Sequence, residues 1–179
     1  MTSRRSENNN FSSKSIVSGK LTNKEIKEIC LLKDKHWKFG TKSQLDWFKN
    51  NIKKYDLHNL FYIKSKLVGY TLLRKRTYEI KDLTKKTNYL LFDTLVVDKK
   101  YRSMKLSNLL MSFNNKIIRQ SGFSSFLICS NKLVSFYKKN NWKGLNKKAF
   151  KVADHTFSSN GMIFNKKTFK KKIFYYINK

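Results

Sequence analysis

Residues 88–110 read NYLLFDTLVVDKKYRSMKLSNLL, and no other stretch constrains the fold as much. The apolar run over residues 90–97 has the length and bulk of a strand buried in a sheet. A short basic loop follows. Beyond it, Leu106, Leu109, Leu110, Phe113 and Ile117 recur at the spacing that keeps one helix face on a core. A strand that feeds a helix through a short loop leaves free backbone N–H groups at the positive end of a helix dipole, where phosphate binds. On this segment alone, any strand–loop–helix unit of an α/β protein meets the description.

The flanking sequence supplies further elements. Thr22, Asn23, Lys24 and Glu25 form a capping box ahead of Ile26, Ile29 and Cys30, which predicts a helix. Thr41 or Ser43 is placed to cap a second helix carrying Leu45, Trp47, Phe48 and Ile52. Strands are expected over 60–64 and 67–74 with Ser65 and Lys66 as a tight connection, followed by a polar connection over 78–86. After the helix over 105–121, Gly122 sits where a helix stop is expected. A strand over 126–129, a short helix over 133–140, and closing strands over 143–152 and 161–165 complete the order. The last eleven residues alternate poorly and read as a helix packing Phe169, Ile173 and Tyr176, or as a surface tail. Residues 1–13 read as a disordered polar leader, and 14–179 as one domain large enough for a core.

Composition narrows the function. No run of eighteen apolar residues exists to span a membrane, and the polar start has no apolar segment of the secretory kind. Cys30 and Cys129 lie on an expected helix and strand, outside any metal-ligand spacing. They read as buried free thiols in a reducing cytoplasm, with no metal. The net charge of +29 favours polyanionic partners such as RNA, DNA or acidic membranes. Yet only six of the 40 basic residues are arginine, the side chain that reads phosphates and bases bidentately. The lysines are spread along the chain, alongside a general enrichment of residues with A/T-rich codons. Genomic base bias accounts for that pattern, and nucleic acid remains the less favoured partner.

The run Arg102-Ser103-Met104-Lys105-Leu106-Ser107 resembles the Arg/Gln-x-x-Gly-x-Gly/Ala motif with which the GNAT superfamily of N-acyltransferases binds acyl-CoA. Lys105 stands where glycine is usual, and Ser107 replaces Gly or Ala. A second block, residues 126–142, resembles that family's fifth strand, its asparagine, and a helix ending in Tyr-x-x-x-Gly-Phe; Asn141 and Trp142 stand in for the last two. The likeness covers roughly residues 60 to 145. It implies a single domain with a mixed, mostly antiparallel central sheet flanked by helices on both faces. It also implies acetyl-CoA or another acyl-CoA as co-substrate and a primary amine as acceptor.

The resemblance gives individual residues roles, each beside a plainer reading. Backbone amides of Arg102, Ser103, Met104, Lys105, Leu106 and Ser107 would cradle the CoA diphosphate; otherwise Arg102 and Lys105 are solvated charge at a helix start. Lysine fits at 105 if the backbone there is helical, and is strained if φ is positive. Leu95, Val96 and Val97 would offer main-chain groups to the pantetheine arm, with an N–H near Val96 polarising the thioester carbonyl; they are equally good core residues. Asn131 would touch the cofactor or cap the next helix. Tyr137 would protonate the leaving thiolate or be an aromatic core residue. Asp93, a carboxylate inside an apolar run, would take the amine proton or be a hydrogen-bonded structural aspartate. Strand alternation puts it on one face with Leu91 and Leu95, opposite Phe92, Thr94 and Val96. Trp37 and His58 are candidates for acceptor contact, although lone histidines, including His36 and His155, are more often structural.

The expected reaction is direct transfer of an acyl group from acyl-CoA to a small-molecule amine such as an amino sugar; the positive surface disfavours a polyamine. The alternatives are an acetyltransferase acting on protein or RNA, and a non-catalytic basic module that binds nucleic acid. A homodimer is compatible with all of these.

Overall fold

The capping box closes as expected in the computed structural model, which describes residues 11–83, 85–153, 159–165 and 171–178. The Glu25 amide donates to Thr22 Oγ1 at 3.2 Å and the Thr22 amide to Glu25 Oε2 at 2.8 Å. This pair starts α1, Asn23–Trp37. Helix α2, Thr41–Asn51, is capped by Gly40 at φ 87°, not by Thr41 or Ser43. Helix α3 is Leu106–Ser121 and α4 is Asn131–Lys139.

Among the described residues, nine strands form the sheet: β1 Phe11–Val17, β2 Leu57–Ile63, β3 Lys66–Ile80, β4 Thr87–Val97, β5 Ser125–Cys129, β6 Lys143–Gly144, β7 Phe150–Val152, β8 Asn160–Phe164 and β9 Ile173–Tyr175. The order is β1-β2-β3-β4-β5-β8-β6, with β9 joining β3 to β7. Pairing is antiparallel except for β4 with β5 and β7 with β9. Helices cover both faces. Val96 packs with Ile29 and Leu32 of α1, while its neighbour Val97 packs with Leu106 and Leu110 of α3. Consecutive strand residues face opposite ways, so α1 and α3 lie on opposite sides.

Several elements differ from the sequence reading. Strand β1 begins at Phe11, inside the stretch read as a leader; it pairs with β2 through its backbone while its first four side chains stay exposed, so no apolar alternation marks it. The turn between β2 and β3 is Lys64-Ser65, both at positive φ (47° and 62°), one residue earlier than expected. Strand β3 runs to Ile80 where a polar connection was expected, because Tyr78 joins Tyr89 and Tyr175 in a buried aromatic cluster. The single closing strand over 143–152 is two, β6 and β7, which pair with different partners. The C-terminal segment is strand β9, with Ile173 and Tyr175 buried. Phe169 and His155 lie outside the described residues. Both cysteines are free and buried, as expected.

Candidate active site

Asp93 breaks the register of β4. Leu72 pairs with Thr94 and Leu73 with Phe92, leaving Asp93 as the extra residue of a β-bulge. The expected alternation therefore fails at this point. Leu90 and Phe92 pack on the core with Met111 of α3, and beyond the bulge it is Leu95 and Val97, not Thr94 and Val96, that face α3. Pairing of β4 with β5 stops just short of the bulge. The two pair only at Leu90 with Ser125 and Leu91 with Phe126. Past Leu91 a gap opens.

A cavity of about 310 Å³ occupies this gap, walled by Leu95, Val96 and Val97 and by Leu133 and Phe136 of α4, with His36, Arg102 and Ser107 at its rim. The Asp98 N–H donates to the Val68 carbonyl at 2.8 Å. In an antiparallel pair, successive residues alternate in the side to which their N–H and C=O point. Val96 therefore bonds toward β3, and the amides and carbonyls of Leu95 and Val97 face the gap. The amide expected near Val96 is thus that of Leu95 or Val97.

The basic loop builds the rim. A 3₁₀ helix, Lys99–Met104, is capped by Asp98, whose Oδ1 accepts from the Lys100 amide at 3.1 Å. Lys105 then adopts φ 54°, ψ 23°, the left-handed conformation, and α3 begins. The motif's glycine position does need positive φ, and lysine meets it at a steric cost. The first amides of α3, at Leu106 and Ser107, have no partner within the helix and point at the loop. Leu106 is buried and Met104 exposed. Two contacts from the last turn of α1 hold the loop: Lys35 Nζ to Asp98 Oδ2 at 2.9 Å, and Arg102 to His36 Nδ1 at 3.0 Å. Burial alone would raise the Asp98 pKa, but the Lys35 hydrogen bond, the Lys100 amide, and the charges of Lys35 and Lys66 hold it below the usual range. Burial, then Arg102 and Lys99, depress His36. A guanidinium only donates, so His36 Nδ1 is unprotonated and accepts. Arg102 and the first amides of α3 lie at this rim, groups of the kind that bind phosphate.

Directly along β4, Asp93 and Thr94 line a second cavity of about 560 Å³ with Lys33 and Trp37 of α1, Ser43, Gln44 and Trp47 of α2, and Phe39 between them. Consecutive residues of one strand, Thr94 and Leu95, thus line the two cavities. Asp93 Oδ2 accepts from Arg74 at 3.1 Å, and the Asp93 side chain is 26% exposed. Arg74 is buried and also donates to the Asn51 carbonyl at 3.3 Å. Lys33 is buried with its ammonium 3.8 Å from the centre of the Trp47 ring. Burial lowers its pKa, against the pull of the Asp93 charge.

Trp37 stands in this cavity. His58 does not. It is fully buried under α2, with Nε2 2.7 Å from Ser18 Oγ and Nδ1 2.8 Å from Tyr70 Oη. His58 was named as a candidate for acceptor contact; Phe48 and Tyr70, packed against its ring, keep it from the surface. Asn131 is the first residue of α4, with Ser130 at the cap position, and its Oδ1 accepts from Asn160 at 2.6 Å. Tyr137 is 8% exposed among Phe92, Phe136 and Trp142, and its hydroxyl has no hydrogen-bond partner among the described residues. Burial pushes it up to about 12. Asn141, in the glycine position of the second block, takes φ 66°, a conformation asparagine tolerates better than most. Lys33 and Arg74 were not singled out from the sequence, and Trp47 was read only as a residue of the second helix; the signal available was a pair of arginines, Arg74 and Arg76, at the end of an apolar strand.

No family model matches this sequence, and no curated protein does. Solved structures do. An acyl-CoA N-acyltransferase from Pseudomonas aeruginosa is similar at a TM-score of 0.62 and 14% identity, over 86% of this chain and 98% of its own. The GNAT family N-acetyltransferase YhbS from Escherichia coli, in complex with CoA, is similar at 0.61 and 13%, over 84% and 79%. The ribosomal-protein-S18-alanine N-acetyltransferase from Escherichia coli is similar at 0.56 and 11%, over 94% and 96%. At these identities the shared property is the fold.

Proposed function

We propose that this chain, which has the fold of the GNAT N-acyltransferases, moves an acyl group from acyl-CoA, acetyl-CoA first among them, to the primary amine of a small molecule. One observation carries the reading: the gap between β4 and β5 opens directly beside a cavity that holds a carboxylate. The gap fits an extended pantetheine arm, with unpaired main-chain groups at Leu95 and Val97 along it. The turn at Arg102–Ser107 supplies amides and cations for the diphosphate, and Asn131 stands at the start of α4 beyond it. The side chain of Lys105 contributes charge, and its backbone supplies the bend.

In this reading the amine nitrogen attacks the thioester carbonyl. A gap-facing amide, that of Leu95, stabilises the oxyanion. The C–N bond forms and the C–S bond breaks. Asp93, through water, takes the proton that nitrogen loses. Tyr137 lies on the helix that walls the gap and is assigned to the sulfur. Burial pushes the Tyr137 phenol up to about 12, which disfavours giving up its proton. Its hydroxyl therefore acts as a hydrogen-bond donor to the departing thiolate, which takes its proton from solvent. A cytoplasmic setting suits the two free thiols.

The test is a melting-shift screen with acyl-CoAs of rising chain length, followed by free-thiol release against pools of amines. Stabilisation by acetyl-CoA and amine-dependent thiol release support the reading. No stabilisation by any acyl-CoA rejects it, and tight RNA binding that collapses with salt would replace it with a binding module.

A further inference from the structure

Lys33 is an anomaly in the cavity beside Asp93. It is 6% exposed, and among the described residues its ammonium has no ion pair and no hydrogen bond; the rings of Trp47 and Trp37, at 3.8 and 6.0 Å, are its neighbours. A buried ammonium without an anion is costly, and an anion seated beside it would offset that cost. Asp93, the carboxylate lining the cavity, pulls on Lys33 only from a distance and forms no ion pair with it. Asp93 is already neutralised by Arg74 at 3.1 Å. Among the described residues, Lys33 is therefore the cation on the cavity wall that has no ion pair, while the wall's carboxylate is paired from behind by buried Arg74. The Gln44 carboxamide, buried on α2 with no side-chain hydrogen bond among the described residues, adds a neutral donor to the same wall. The aromatic seat that a substrate cation would take on Trp47 is filled by Lys33 itself.

We infer that the acceptor is an amine that also carries an anionic group, a carboxylate or a phosphate, and that this group seats on Lys33 while the nitrogen faces Asp93 and the β4–β5 gap. The inference rests on the acyltransferase reading and sharpens its acceptor. Lys33 is a specificity residue, set by charge, and a simple polyamine is excluded by the same charge. The anion also fixes direction. Held at α1 and α2, it turns the amine toward the strand that carries the bulge.

The experiment uses the full chain, acetyl-CoA and two matched sets of acceptors: phenylalanine against phenylalaninamide, and glucosamine 6-phosphate against glucosamine, read by thiol release. The expected result is a kcat/KM at least tenfold higher for the anionic member of one set or both, and the set that responds identifies carboxylate or phosphate. In Lys33→Met that ratio falls toward one, and in Lys33→Arg it persists. Faster or equal turnover of the neutral members in both sets overturns the inference and leaves the acyltransferase reading standing. A ratio unchanged in Lys33→Met overturns it as well. If Lys33→Met does not fold, the wild-type ratios decide alone. No thiol release from any member, with no stabilisation by acetyl-CoA, removes both readings; stabilisation without any turnover removes the inference only.

Discussion

Replacing Lys105 with glycine should stabilise the protein, although it deletes a side chain from a helix start. Lys105 sits at φ 54°, ψ 23°, where the Cβ crowds the following carbonyl. That conformation costs an L-residue about 1–2 kcal/mol. Glycine removes the crowding but loses more entropy on folding, by about 0.4–1 kcal/mol. The difference leaves a net gain of about 0.5–1 kcal/mol. For a domain of this size that raises Tm by roughly 1–4 °C. Removing one of the cations clustered at the start of α3 acts in the same direction through relief of like-charge repulsion and of an unfavourable dipole contact. Lys105→Ala separates the two contributions, because alanine removes the charge and keeps the crowding. Thermal and urea denaturation of wild type, Lys105→Gly and Lys105→Ala should rank glycine clearly above alanine. Equal stabilities of the two variants, or a glycine variant below wild type, would refute the claim that backbone strain is stored at this turn.

Acid should unfold the protein partly through His58, which burial, then the Lys33 charge, depresses to about 3. The unfolded histidine binds its proton near 6.5 and the folded one does not, so stability present above pH 6.5 is lost toward pH 3, at up to about 1.4 kcal/mol per pH unit. His58→Asn should flatten this slope in denaturation series across that window, and an unchanged slope would mean the ring accepts a proton in place. Lys64→Asn with Ser65→Gly, at a two-residue turn with both φ positive, should add about 1 kcal/mol by urea denaturation, as Asn-Gly suits a type I′ hairpin; a loss would mean the lysine and serine side chains hold the turn. Tyr137→Phe should lower kcat by roughly 10- to 150-fold, the worth of a hydrogen bond to a charged group, with acetyl-CoA affinity and Tm little changed. Unchanged turnover would take the hydroxyl out of the mechanism.

The sequence carried the helices and the central strands because their signals are local. Thr22 and Glu25 mark a start, Gly122 a stop, and the leucines after Lys105 an apolar face. The loop at Arg102 and the Asn141-Trp142 pair were legible through side chains that keep the backbone shape a glycine usually supplies. What stayed hidden was set by pairing. Nothing within β1 distinguishes it from a polar leader, since only the free edge of β2 makes it a strand. Strand β9 is three residues long and exists through β3 and β7. The bulge at Asp93 is a property of two strands in register, so alternation read along one of them misplaced Leu95, Val96 and Thr94. Distant segments also decided the site. Lys33, Arg74 and Trp47 come from α1, β3 and α2 and meet only in the fold, while His58 vanished beneath Phe48 and Tyr70.

A crystal of the protein grown with coenzyme A would show whether the β4–β5 gap binds the co-substrate. The pantetheine arm should lie between β4 and β5, with the diphosphate within hydrogen-bond reach of the amides of Leu106 and Ser107. A nucleotide bound elsewhere, with that turn untouched, would contradict this placement.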